Sequence, residues 1–380
     1  MEKIKLGELC KPSAGQIKED SDELIDYIDI SSVDNETKRV TGYQTIAFGE
    51  APSRARKAVK RGSVLVSTVR PNLNAVAMLE DDTPNITVAS TGFCILDCKE
   101  NVNNRFIFNF CKSKAFIDDM VSQATGASYP AVSDKIVRSA LVPNYSYEEQ
   151  CQISEVLDRV SAVIDNRKAE LSALDDLIKA RFVELMNSSE LSEEVTVEEI
   201  TERVKVGFVG TCEKFYTDES GIPMLRTGNI TDKGIDLKDL KYVTEEFHEK
   251  NKKSQIHEGD LLIARHGSNG QANVYYGAEA QCLNAVVIVP NQSVARSIFL
   301  AGLINSPMVK EQIDRTLVGS TQHVVNTKSI ASLKVRIPDL AVQNKYEDFV
   351  KQVDKSKVAV QKSLDETQQL FDSLMQKYFG

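Results

Sequence analysis

Hydrophobic and polar positions run in the same order twice along this chain. Apolar residues recur at steps of four and three at Ile153, Leu157, Val160, Ile164, Leu171, Leu174, Ile178 and Leu185. Arg167 and Arg181 fill the two intervening seam positions. This spacing is a heptad seam, the mark of a helix that pairs with another helix. Adding 193 to each number leads to Tyr346, Val350, Val353, Lys357, Leu364, Thr367, Phe371 and Tyr378, with Val360 and Leu374 opposite the arginines. Neither run contains proline or glycine between 148 and 187 or between 341 and 379, so each predicts an unbroken helix. Forty helical residues reach about 60 Å.

The segments before these runs read as mixed α and β. In the first, residues 64–69 and 75–79 predict strands joined by a turn at 70–74, and 85–98 is β-prone. Residues 104–123 predict a helix with Phe106, Phe110, Phe116 and Met120 on one face. The second repeats the order. Residues 261–264, 272–276 and 282–289 predict strands, and 297–315 predicts a helix that Pro307 kinks or restarts. Gly126 to Gln150 parallels Gly319 to Gln343, each passing from glycine through Lys135 or Lys328 and a proline to the glutamine. Gly62 and Gly259 each lead a strand. A period near 190 suits a duplicated domain and not a solenoid of short units. The expected boundaries are 1–147, a helix over 148–190, a second globular segment over 191–338, and a helix over 339–380.

Catalytic signatures are missing from the sequence. It has no phosphate-binding GxxxxGK[ST], no GxGxxG, no GxSxG, and neither the glycine-rich cofactor loop nor the proline-aromatic motif of a DNA methyltransferase. Asp218 with Asp236-Leu-Lys238 matches a nuclease motif only at the level of chance. Seven cysteines without a CxxC pair, four scattered histidines and no secretory signal point to reduced thiols in a cytoplasm and to no metal site. The longest apolar runs fall short of a membrane span. A binder without a catalytic site is the expectation.

Two polar loops in each half are the candidate binding elements. The first half offers Arg70, Asn72, Asn74, Thr125, Ser128 and Tyr129; the second offers Arg265, His266, Ser268, Asn269, Gln271, Ser320, Thr321, Gln322 and His323. Arginine pairs with guanine, and asparagine or glutamine with adenine, in the major groove. Glycine beside them lets backbone approach a phosphate. Polar side chains are also what any turn prefers. A scaffold with two similar ligand-binding domains on a coiled coil, binding no DNA, is the alternative.

Taken in order, these features resemble the DNA specificity subunit of type I restriction–modification systems. The resemblance spans essentially the whole chain. It rests on Leu6-Gly-Glu-Leu9 and Val197-Glu-Glu-Ile200 opening the halves, on the stretches from Gly62 to Arg70 and from Gly259 to Arg265, and on the proline-to-glutamine lead-ins 143–150 and 338–343. It implies an α+β fold with two target-recognition domains in tandem, each followed by a long helix, the helices pairing as an antiparallel coiled coil. It implies a non-catalytic subunit that reads a bipartite double-stranded DNA target. Methyltransferase subunits carrying S-adenosylmethionine, and possibly restriction subunits, would be its partners, and no cofactor would bind this chain.

Charge at first opposes that implication, since the net value is −9. Its distribution removes the objection. Residues 148–200 hold 14 acidic and 5 basic side chains, which is the entire excess. The globular segments are near neutral, at 18 basic to 19 acidic over 1–147 and 17 to 15 over 201–338. Such domains touch phosphates at low cost yet bind weakly alone.

Overall fold

The computed structural model describes residues 2–12, 17, 23–231, 234–266, 270–317 and 324–380. The chain divides into two compact units. Unit 1 comprises residues 1–168 with 362–380, and unit 2 comprises 169–361. Each is described separately.

In unit 1, strands β1 (Leu24–Ile28), β2 (Gln44–Ala47), β3 (Ala55–Ala58) and β6 (Ile86–Ser90) form a four-stranded sheet ordered β2-β1-β6-β3, with β1 and β6 parallel. Strands β4 (Val64–Ser67), β5 (Val76–Met78) and β7 (Phe93–Leu96) form an antiparallel sheet ordered β7-β4-β5. Side chains alternate across a strand. Val64 and Val66 therefore enter one core with Phe106, Phe110, Ile153, Leu157 and Phe379. Leu65 enters another with Ile28, Ala77 and Phe93. Burial on both faces explains why β4 reads as a continuous apolar run.

The expected helix over 104–123 is two helices, α1 (Asn104–Lys112) and α2 (Lys114–Gln123). Ser113 makes the break. It ends α1 and caps α2, its hydroxyl accepting from the Phe116 N–H at 3.2 Å. Helix α3 (Asp134–Ser139) precedes the long helix α4 (Tyr147–Ser188, 42 residues).

In unit 2, β8 (Thr201–Val206), β11 (Leu261–Ala264), β12 (Ala272–Val274) and β14 (Ala285–Pro290) form an antiparallel sheet ordered β8-β14-β11-β12. A five-stranded sheet holds β9 (Ile222–Leu225) parallel to β13 (Ala280–Cys282) and antiparallel to β10 (Lys241–Val243). Leu261 and Ile263 pack with Phe182, Phe299 and Tyr346, while Leu262 and Ala264 pack into a second core with Leu225 and Val287. The helical stretch again splits, into α5 (Ser297–Ile304) and α6 (Pro307–Leu317). Pro307 is the first residue of α6, where its missing N–H removes nothing. Helix α7 (Thr327–Ala331) leads toward the second long helix α8 (Leu340–Phe379, 40 residues).

Every seam position of both long helices is buried or half-buried. That includes Ile153, Leu157, Val160, Ile164, Leu171, Leu174 and Ile178 on α4 and Val350, Val353, Val360, Leu364, Phe371 and Leu374 on α8. In unit 1 the end of α8 packs with the start of α4, since Met375 and Phe379 share a core with Ile153 and Leu157. In unit 2 the end of α4 meets the start of α8. There Phe182 lies 5.3 Å from Tyr346, ring to ring, and Lys357 Nζ pairs with Asp175 at 2.6 Å. Arg181 keeps its charge outward on Glu184 and its guanidinium 5.7 Å from the Phe349 ring. No helix among the described residues is long and apolar enough to cross a membrane.

Candidate nucleic-acid interface

In unit 1 the two sequence-chosen loops are brought together. The first leaves β4 and makes a single 3-10 turn at Pro71–Leu73. The second leaves α2 and is closed by paired bonds between Thr125 and Ala131, at 3.0 and 2.9 Å. Two bonds join them, since Arg70 N–H donates to the Pro130 carbonyl at 2.7 Å and Val132 N–H donates to the Thr68 carbonyl at 2.8 Å; within the first loop the Ser67 hydroxyl accepts from the Val69 N–H at 3.3 Å. Gly126 sits at φ +106°, and a Cβ there would meet the Tyr129 carbonyl at 2.8 Å. Arg70, Asn72, Thr125, Ser128 and Tyr129 form one exposed patch.

Asn74, expected at the surface beside them, is buried. Its Nδ2 donates to the Cys111 carbonyl at 2.9 Å, and its own carbonyl accepts from Lys38 Nζ at 2.6 Å. It fastens the loop to α1 and presents no polar atom outward. Its left-handed backbone, φ +47°, suits asparagine better than most residues.

In unit 2, Arg265 directly follows β11, whereas Arg70 stands three residues beyond β4. The two arginines therefore occupy different steps of the same loop. Arg265 is half-buried and its Nη1 donates to Asn284 Oδ1 at 3.0 Å. His266 is exposed and Gln271 half-buried. Ser268, Asn269, Ser320, Thr321, Gln322 and His323 lie outside the described residues. The exit of the glycine loop is described, and Val325 N–H donates to the Arg265 carbonyl at 3.1 Å. Val132 and Val325 stand 193 apart, so the same backbone bond docks the second loop on the strand end in both units.

Sequence reasoning passed over the residues that hold these loops to the helices. Gln150 and Gln343, the last letters of the repeat, are 3% and 0% exposed. Gln150 Oε1 accepts from the Asn103 N–H at 3.0 Å while its Nε2 donates to the Tyr145 carbonyl at 2.9 Å. Gln343 Oε1 accepts from the Arg296 N–H at 2.9 Å, and its Nε2 donates to the Pro338 and Val294 carbonyls at 3.0 Å each. Each amide ties the first turn of a long helix to the start of α1 or α5. The signal was the glutamine ending both repeats; its role became visible only with the carbonyls and N–H groups around it. Asn284, at φ +54°, was likewise not singled out.

All seven cysteines are free, and burial pushes the Cys94 and Cys282 thiols up to about 12.

Two like-built units, each with the same bond between a strand end and the exit of a glycine loop and each latched to long heptad helices, define a duplicated domain protein. The chain belongs to the family of the type I restriction modification DNA specificity domain, whose profile matches residues 1–175 and again 192–368. The EcoBI type I restriction enzyme specificity subunit of Escherichia coli is 20% identical over 321 residues, covering 75% of this chain and 67% of that protein. The MjaIX specificity subunit of Methanocaldococcus jannaschii is 19% identical over 338 residues, 83% of this chain and 76% of the relative. A chain solved in work on complex assembly of the type I R-M system is 21% identical, with a TM-score of 0.61 over 100% of this chain and 97% of its own length. That likeness establishes the fold.

Proposed function

We propose that this chain is the sequence-specific double-stranded DNA-binding subunit of a type I restriction–modification complex. Residues 1–147 and 191–338 are its two target-recognition domains, each reading one half of a bipartite site. The helices over 148–190 and 339–380 pair antiparallel and space the domains. Contacts of the α8 end with the α4 start in unit 1, and of the α4 end with the α8 start in unit 2, support opposite helix directions. The chain is non-catalytic in this reading. Methyltransferase subunits supply S-adenosylmethionine and the reaction, and restriction subunits join for cleavage.

One observation carries the proposal: the same backbone bond joins the strand end to the residue leaving the second loop in both units, Val132 to Thr68 and Val325 to Arg265. A duplicated loop pair fits two similar ligands, as the two halves of a split duplex site are. The near-neutral globular segments leave much of the phosphate affinity to the partners, and the acidic α4 faces solvent or a basic partner surface.

Purified with its methyltransferase, the chain is expected to bind one split motif, with affinity falling steeply as salt rises. Exchanging residues 201–338 for those of a relative should change one half-site and leave the other. If both half-sites change, the two-reader assignment fails.

A further inference from the structure

Resting on that reading, we propose that Arg70, held over the Tyr129 ring, reads a guanine in the half-site contacted by unit 1. Its backbone is fixed first. Arg70 lies at φ +49°, a left-handed conformation that a non-glycine residue adopts at a cost. Its N–H is held by the Pro130 carbonyl at 2.7 Å, and its own carbonyl accepts from Leu73 N–H at 2.9 Å. Strain in an exposed loop tip, stabilised by bonds on both sides, is a feature that a packing role leaves unexplained.

The side chain is fixed next. Arg70 Cζ lies 4.6 Å from the centroid of the Tyr129 ring. Tyr129 is itself 68% exposed, on a loop closed by the two Thr125–Ala131 bonds. A guanidinium packed over a ring can keep its rim available for hydrogen bonding. All five N–H donors lie on that rim. None of them makes a hydrogen bond or ion pair within the described protein. A planar fork with two parallel free donors matches guanine, whose O6 and N7 are adjacent major-groove acceptors; adenine, cytosine and thymine lack that pair. Cation–π contact orders the fork before DNA arrives, so less side-chain freedom is lost on binding. Tyr129 is thus a positioning residue and Arg70 the reader. Arg265, engaged with Asn284, has no such arrangement, and the inference is confined to unit 1.

The test uses the full chain with its methyltransferase. Sequencing of methylated sites defines the motif, and duplexes then carry 7-deazaguanine at one guanine at a time, exchanging the N7 acceptor for C–H. One replacement is expected to weaken wild-type binding about ten-fold. Arg70→Gln should bind native and replaced duplexes alike at that position. Tyr129→Leu should lose most of the discrimination and Tyr129→Phe, which retains the ring face, should restore it, with melting temperatures unchanged. The inference is overturned if no guanine is sensitive, or if Arg70→Gln remains as sensitive as wild type. A wild-type complex that binds no split motif at all overturns the specificity-subunit reading itself, an outcome distinct from those two.

Discussion

Units 1 and 2 agree in their frames and differ in their candidate binding loops. The glutamine latch is reproduced, Gln150 on Asn103 and Tyr145 and Gln343 on Arg296 and Pro338, with one further bond from Gln343 to the Val294 carbonyl. The tie between the reader loop and the first helix is made in opposite senses. In unit 1 the loop reaches the helix, Asn74 Nδ2 donating to the Cys111 carbonyl. In unit 2 the helix end reaches the strand, Asn305 Oδ1 accepting from the Ala272 N–H at 2.9 Å and Nδ2 donating to the Ala272 carbonyl at 2.8 Å. Contacts that set where a helix leaves a domain tolerate one solution. A loop needs only to be held, and either partner can supply the amide.

Removing the latches is the most damaging way to test that comparison. Gln343→Leu leaves three backbone groups, buried or half-buried, without partners, and about 3 kcal/mol of stability is expected to go in urea denaturation. Gln150→Leu, which strands two, should lose about 2 kcal/mol. If one variant is silent, the frames are not equivalent.

The reciprocal asparagines come next. Asn74→Ala and Asn305→Ala should each cost about 1–2 kcal/mol. Asn74→Gly should cost less than Asn74→Ala, because glycine tolerates the φ of +47°. Equal losses for the two Asn74 variants would show that the backbone conformation contributes nothing.

Lys112 sharpens the contrast, because the residue 193 further on is Asn305. Burial pulls the Lys112 amine down to about 8, beside the rings of Phe108 and Phe371 at 4.3 and 5.7 Å. Below pH 8 both folded and unfolded chains hold the proton, and the fold bears the burial of the charge. Between pH 8 and the usual lysine range the unfolded chain alone stays protonated, so Lys112 makes stability rise with pH there. Lys112→Met is expected to gain about 1 kcal/mol at pH 7, with the gain shrinking above pH 8. A gain that does not change with pH would assign the effect to packing alone.

Arg181→Leu is the smallest change. Its Nε is buried without a hydrogen bond, and leucine would fill a seam position opposite α8. A gain of about 0.5–1 kcal/mol in unit 2 is expected, and a lower melting temperature would count against an apolar seam.

Much of this frame was legible in the sequence, because periodicity reports burial directly. The steps of four and three placed both long helices within two residues of their ends, and the proline-to-glutamine segments marked where they begin. The break at Pro307 was legible from the proline itself, whereas the split at Ser113 was harder. A capping serine looks like any polar residue on a helix until its hydroxyl meets the Phe116 N–H. The reader loops divided along the same line. Arg70 and Tyr129 were identifiable as residue types but not as a stacked pair, since 59 residues of chain separate them and only the fold closes that distance. Asn74 had the composition of a binding residue and the environment of a structural one.

One contact has a consequence for synthesis. Phe379, near the end of α8, packs against Phe106 at 5.2 Å and Phe110 at 5.9 Å, in the core of unit 1. Phe182 occupies the corresponding place against Phe299 in unit 2. The ribosome therefore delivers every part of unit 2 before it delivers the last piece of unit 1. The amino-terminal reader, although made first, waits with an open aromatic socket until the final turn of helix arrives. A chain that stops at Leu370 would lose the closure of its beginning.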